Sequence, residues 1–438
     1  MPATHPLVTR SPQALVETLR GLGLRRFCLV PDPATGALVA SHPALQPLAD
    51  FVAAAGRDFE GHEGLFFQIS ERHDTLQGAF VHRTCRGQAA GGVRYWAYDT
   101  VEDYLRDGLR LAMGMTHKNA LAGLWWGGGK GVMARNPAVD RDDPGVRADL
   151  YRDYGALMTS IRGCYVTAED VGTCVTDMDH IFERTRFTTC IAPALGGSGN
   201  PSVPTARGVV AGMRAALEHL GAGTLEGKTV AVQGLGNVGW PLVGMLLDAG
   251  VARIIGCDVD EGRVASARDR FAGRPFEATL IARDDESWLA TDCDVLAPCA
   301  TGAVLNPRTI PRLRARVVCG AANNQLEDPE RDDRALHERG ILYVPDFLTN
   351  RMGIVTCADE QAGYVPGDPL IERHLGRDWE HGIHRAALRV FAESSATGRP
   401  PGTTARAQAD ALSREPHPIF GHRGPAIIRG LVDDGWAG

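Results

Sequence analysis

The segment that most restricts how this 438-residue chain can fold is Thr229-Val-Ala-Val-Gln-Gly-Leu-Gly-Asn-Val-Gly239. Residues 229–233 read as a strand, and the apolar stretch from Val238 to Ala249 reads as a helix. Between them lies a G-x-G-x-x-G motif in the one context that gives it meaning. Gly234 permits a tight turn, Gly236 lets the backbone approach a pyrophosphate, and Gly239 lets helix and strand pack closely. The helix start adds N–H donors and a positive dipole end for phosphates. Pro241 falls in the first helical turn, where its missing N–H does no harm. A second strand, 253–257, is followed at once by Asp258, 24 residues after Gly234. An acid there is placed to accept hydrogen bonds from an adenosine ribose and to repel a 2′-phosphate, which favours NAD over NADP.

Further strand-like runs at 295–298, 315–319 and 341–344 alternate with helical stretches. That alternation predicts an α/β architecture with a parallel sheet covered by helices. The length suits two or three domains. A formal charge of -7, from 46 basic and 53 acidic residues, gives no electrostatic support for nucleic-acid or anionic-membrane binding. The ten cysteines include no Cys-x-x-Cys pair, which predicts reduced thiols, no zinc framework and a cytoplasmic location. The first residues lack the basic-then-apolar pattern of a secretory signal, and no run reads as a transmembrane helix.

The first half is organised differently. Ser11-Pro12 opens a helix with Leu15, Leu19 and Leu22 on one face. Residues 27–40 read as a hairpin and 43–55 as another helix, together an accessory or oligomerisation layer. Strand signals follow at 65–69 and 76–81, then a Gly91-Gly92 turn and a strand at 93–96. Thr100-Val-Glu-Asp103 is a capping-box pattern ahead of a 3.6-residue apolar period reaching residue 115. Gly127-Gly-Gly-Lys-Gly131 reads as a glycine-rich loop.

Lys118 and Lys130 stand out. In an open loop beside Leu124, Trp125 and Trp126, Lys130 would be partly desolvated, and a second cation nearby would further lower its pKa toward the range of a proton shuttle. The other lysine, kept charged, would pair with a carboxylate. Spacing alone favours two solvated surface lysines. In Thr167-Ala-Glu-Asp-Val-Gly-Thr173, Glu169 and Asp170 follow the strand-like Tyr165-Val166 and point to opposite sides. Capping or turn formation explains them locally at least as well as catalysis.

Taken together these segments resemble the glutamate/leucine/phenylalanine/valine dehydrogenase family, closest to its leucine and phenylalanine branch. The matching text is Gly91-Gly-Val-Arg94, MTHKNA (115–120), GGGKGV (127–132), TAEDVGT (167–173), GSGNPSVPTARGV (197–209), QGLGNVG (233–239), APCATGAVLN (297–306), CGAANNQL (319–326) and ADE (358–360). The resemblance implies reversible oxidative deamination of an apolar L-amino acid, branched-chain or aromatic, to a 2-oxo acid and ammonia, with NAD as cofactor and no metal. It implies Lys130 and Asp170 as catalytic residues, and Lys118 as the ligand of the substrate carboxylate. Gly91, Asn324, Ala90 and Cys357 would complete the substrate site. Thr205, Gly234, Gly236, Asn237, Val238, Gly239, Asp258, Ala300 and Asn324 would hold NAD.

The implied organisation has four parts. Residues 1–57 form an N-terminal extension outside the resemblance. Residues 58–198 form a substrate and dimerisation domain, and residues 199–360 a Rossmann-type, doubly wound NAD domain across a cleft. Helices from 361–438 return to the first domain. A homo-oligomer is implied as well.

The sequence also departs from the pattern. Leucine-type relatives carry Asn-Ala-Gly-Gly where this chain has Asn350-Arg-Met-Gly353, and Asn-Leu where it has Trp125-Trp126. Ala90 replaces the lysine of glutamate-using relatives, which argues against glutamate. Arg351 would create an anion site or point to solvent. These departures motivate two rival readings: a non-catalytic NAD-binding regulatory homologue, or an enzyme of the same fold acting on a larger keto acid or imine.

Overall fold

A computed structural model describes residues 5–438, which form two sheets. The first comprises β1 (Arg26–Pro31), β2 (Leu38–Ala40), β3 (Gly64–Ile69), β4 (Leu76–Arg83), β5 (Ala89–Ala90), β6 (Val93–Trp96), β7 (Gly127–Ala134) and β8 (Tyr165–Val166). Its order is β2-β1-β3-β4-β7-β5-β8, with β6 also pairing β7. Side-chain alternation splits its interior into two layers. In β3, Leu65 and Phe67 face a core with Phe27, Phe80 and Tyr104, while Phe66 faces another with Val81, Tyr154 and Leu157.

Residues 127–131 are not a loop. They begin β7, an eight-residue strand buried along its whole length. Glycine is required there by close approach. A Cβ on Gly128 would lie 2.1 Å from the backbone N of Thr116, and one on Gly131 would lie 2.2 Å from Tyr154 Oη. Glycine is disfavoured in strands when only propensity is considered, so the run looks like a loop until the overlying helix is known. That helix is Val101–Leu121, and Thr100 caps it by accepting from the Asp103 N–H.

The N-terminal stretch joins the main sheet. β1 pairs antiparallel with both β2 and β3, so the 57/58 boundary falls inside one sheet. Ser11 caps the helix Pro12–Gly21 and Leu15 and Leu19 are buried, but Leu22 lies just past the last turn and is exposed.

The second sheet comprises β9 (Thr229–Gln233), β10 (Arg253–Asp258), β11 (Phe276–Leu280), β12 (Val295–Pro298), β13 (Val317–Val318) and β14 (Leu342–Tyr343). Its order is β11-β10-β9-β12-β13-β14, with every pairing parallel. This is the doubly wound order of dinucleotide-binding folds, whose switch point lies between β9 and β12. The apolar strands Val230–Val232 and Val295–Ala297 pack with helices Ser202–His219 and Gly239–Asp248 in one core.

The C-terminal helices do not all return to the first domain. Helix Ile383–Thr397 packs on Ser202–His219 of the NAD domain. Helix Pro401–Ser413 packs on Val101–Leu121, and Gly424–Asp433 sends Ile428 and Leu431 into the first domain's core. Among the described residues, no helix is long and apolar enough to cross a membrane.

Candidate active site

Lys130 projects from the middle of β7 and is almost completely buried. Its Nζ lies 3.0 Å from Asp170 Oδ2. The same carboxylate oxygen accepts from Arg94 Nε at 3.2 Å, and Arg94 Nη1 donates to both oxygens of Asp107 at 3.1 and 3.2 Å. Tyr98 Oη donates to Asp107 at 2.6 Å. The chain Lys130–Asp170–Arg94–Asp107 alternates in sign and sums to zero, which is what makes four charges tolerable in a desolvated place. Burial lowers the Lys130 pKa, reinforced by Arg94 and opposed by Asp170. Burial works against the Asp170 carboxylate, but Lys130 and Arg94 outweigh it and hold its pKa well below the usual carboxylate range.

Lys118 lies on helix Val101–Leu121 and donates to Asn323 Oδ1 at 3.3 Å. Burial pushes its pKa down to about 8, opposed by Asp346 and reinforced by Lys130. Asp346 is itself buried and its pKa raised by desolvation, against the pull of Lys118. Among the described residues no carboxylate oxygen lies within 4.0 Å of the Lys118 ammonium, which makes it the free cation of the two lysines. Glu169 points elsewhere: Asn200 Nδ2 donates to it at 2.8 Å, and burial raises its pKa to about 7. The opposite orientation of the two acids is therefore realised.

Residue reasoning missed Arg94, Asp107 and Asn323. Arg94 stood inside the matched Gly-Gly-Val-Arg segment without a role. Asp107 precedes Lys118 by eleven residues, three helical turns, so a search along one helix face would have found it. Asn323 was not singled out; its neighbour Asn324 is exposed with a left-handed backbone (φ 52°), and it is Asn323 that Lys118 bonds.

The dinucleotide loop has the expected build. Gly234 has φ 91°, and a Cβ on Gly239 would lie 1.8 Å from the Gly234 carbonyl oxygen. At Gly236 a Cβ would meet only the Arg263 guanidinium, at 3.1 Å, so the loop presents bare backbone outward. Asn237 is exposed, and Val238 begins helix Gly239–Asp248 with no side-chain cap, which leaves N–H groups free for a phosphate. Asp258 is buried, accepting from Leu235 N at 2.7 Å and Asp260 N at 3.0 Å. Ala300 lies against Gly234 across the switch point, and Thr205 Oγ1 donates to Pro201 O at 2.9 Å near Gly353. The cradle fits NAD.

The other candidates are placed as follows. Ala90 and Gly91 are buried beside β7, and both main-chain groups of Gly91 are engaged: its N–H by Val166 O and its carbonyl by Tyr165 Oη at 2.5 Å. Cys357 is buried with its Sγ 3.4 Å from Cys190 Sγ, and all ten cysteines are free thiols. Trp125 is away from the lysines, under the Arg86 guanidinium at 4.1 Å and against His417. Trp126 packs into the first domain's core. Arg351 neither reaches solvent nor lines an open anion site, because it is completely buried and bonded to main-chain carbonyls. Met352 is buried against Gly208.

Two family models match the chain. "Glu/Leu/Phe/Val dehydrogenase, dimerisation domain" covers residues 68–187, and "Glutamate/Leucine/Phenylalanine/Valine dehydrogenase" covers residues 196–270 and 261–363. The chain belongs to this family. It is an NAD-dependent amino-acid dehydrogenase, which sets aside the non-catalytic reading. Among curated relatives, the leucine dehydrogenase of Bacillus subtilis (strain 168) is 41% identical over 355 residues, 81% of this chain and 91% of its own. That of Geobacillus stearothermophilus is 45% identical over 285 residues, 65% of this chain and 74% of its own. Among solved structures, L-tryptophan dehydrogenase from Nostoc punctiforme aligns with TM-score 0.64 at 32% identity, covering 83% of this chain and 98% of that one.

Proposed function

We propose that this dehydrogenase deaminates a branched-chain aliphatic L-amino acid, with Lys118, Lys130 and Asp170 as its working side chains. The observation that carries the reading is the pairing of a proton-balanced Lys130–Asp170 couple with a second, unpaired lysine at the edge of the NAD domain. Lys118 holds the substrate carboxylate through its free ammonium. Bound NAD supplies the acceptor for the hydride that leaves Cα. Acting from its neutral form, which burial favours, Lys130 takes a proton from the water that attacks the substrate imine. Asp170, ionised at the outset beside two cations, takes a proton from the substrate ammonium before the hydride leaves and gives it back to the departing nitrogen.

The branched-chain assignment is supported by the leucine dehydrogenases at 41–45% identity, and the small, buried side chains of Ala90 and Cys357, assigned here to the substrate site, suit it. Thr205, Ala300, Asp258 and the 234–239 loop are assigned to NAD. The matched dimerisation domain supports a homo-oligomer, and the free thiols support a cytoplasmic location. The test is NADH formation by the purified protein against the twenty L-amino acids. Turnover led by Leu, Val or Ile is expected. Turnover led by Trp or Phe would move the assignment to an aromatic substrate, and silence on all twenty would favour a larger keto acid or imine.

A further inference from the structure

The least expected side chain in the molecule is Arg351. Its relative exposure is 0%, yet among the described residues its hydrogen bonds go to main-chain carbonyls and no carboxylate forms an ion pair with it. Nη1 donates to Leu121 O at 2.7 Å, Nη2 donates to His381 O, and Nε has no partner. The charged and titratable groups coupled to it, Arg389, His374 and His381, offer it no negative charge. A cation buried this way is unfavourable unless something compensates it.

What compensates it is the end of the helix that bears Lys118. Leu121 is the last residue of Val101–Leu121. Final-turn carbonyls lack intrahelical donors and carry the negative end of the helix dipole. The following N–H groups turn back to Lys118, Asn119 and Ala120, which leaves Leu121 O to Arg351. The residue before it completes a clamp. Asn350 Nδ2 donates at 2.7 Å to Asn323 Oδ1, the same oxygen that accepts from Lys118 Nζ, and at 3.0 Å to Ala321 O. Two consecutive residues at the start of helix Met352–Gly363 thus hold Lys118 twice, by the partner of its ammonium and by the backbone one turn beyond it.

We propose that Arg351 is a positioning residue for Lys118, fixing the end of its helix against the NAD domain so that the ammonium meets the substrate carboxylate. This rests on the reading of Lys118 as the carboxylate ligand.

The test uses full-length Arg351→Met and Arg351→Lys. Steady-state kinetics would be run with L-leucine and NAD, alongside thermal melting and amide hydrogen exchange. Arg351→Met is expected to raise KM for L-leucine about tenfold, with kcat within about threefold and KM for NAD unchanged. Arg351→Lys, which can still donate to Leu121 O, is expected to restore KM to within about threefold. Amides 118–123 are expected to exchange faster in both variants. A lowered melting temperature with unchanged KM for L-leucine would overturn the proposal, as would parallel rises in both KM values. If Arg351→Met does not fold, or L-leucine is not turned over, exchange in Arg351→Lys decides: unchanged rates over 118–123 overturn the proposal. Lys118→Met separates the two readings. If it leaves KM for L-leucine unchanged, the carboxylate assignment fails while the exchange result on Arg351 stands.

Discussion

The chain has two glycine-rich runs with opposite reasons for glycine. At 127–131 the residues are extended and buried, with β4 on one side and, on the other, β5 at Gly127–Gly128 and β6 at Gly131, and none has a positive φ. Their missing Cβ atoms make room for helix Val101–Leu121 and Tyr154. At 234–239 the first glycine needs its left-handed backbone, the last needs close packing, and the middle one is open. One run brings protein against protein and the other leaves a face for a ligand. Glycine content signals close approach, but not what approaches.

That contrast can be tested by changes that should separate chemistry, stability and cofactor binding. The largest effect is expected at Lys130, the one long side chain the packed run presents. Lys130→Ala should lower turnover by roughly 10²–10⁴-fold while NAD binding, followed by fluorescence titration, is retained. Loss of NAD affinity in that variant would mean the two runs are not independent. Arg94→Met removes the central cation, leaves Asp107 without a cationic partner and leaves Asp170 to Lys130 alone. It should destabilise the fold by about 3–5 kcal/mol in denaturant titrations.

Gly128→Ala should lower stability by about 1–3 kcal/mol or more, since its Cβ would strike backbone rather than a movable side chain. Gly236→Ala should do the reverse. Its melting should change little because only the Arg263 guanidinium must move, but NAD affinity should fall roughly tenfold, about 1.4 kcal/mol. Equal melting temperatures for these two alanine variants would break the comparison.

The smallest effect is a pH dependence. Lys118 is charged below about 8 and loses its charge above it. KM for the amino acid should therefore rise as pH passes 8, with KM for NAD flat. Lys118→Arg, charged throughout, should flatten the rise.

Much of the nucleotide half was legible because its signals are local. A strand, three spaced glycines, a helix and an acid lie within thirty residues, and each has one physical use. The catalytic half was less so. Its four-charge chain takes members from β6, helix Val101–Leu121, β7 and the segment after β8, which only strand pairing brings together. Lys118, Lys130 and Asp170 emerged through resemblance, whereas their own spacing favoured surface lysines and a turn. Asp107 was within reach of helical periodicity. Asn323 was not, because two adjacent asparagines look alike until the backbone at Asn324 turns left-handed.

By itself the sequence determined the doubly wound sheet, the glycine turn between its first strand and helix, and the family, because periodicity and local turn chemistry act over short stretches of chain. Only the tertiary structure decided that Gly127–Gly131 is a strand, that Trp125 is remote from the lysines, and that Arg351 is buried on a helix end. The physical reason is that burial, and with it the pKa of a lysine or the role of an arginine, depends on what distant segments pack around a side chain.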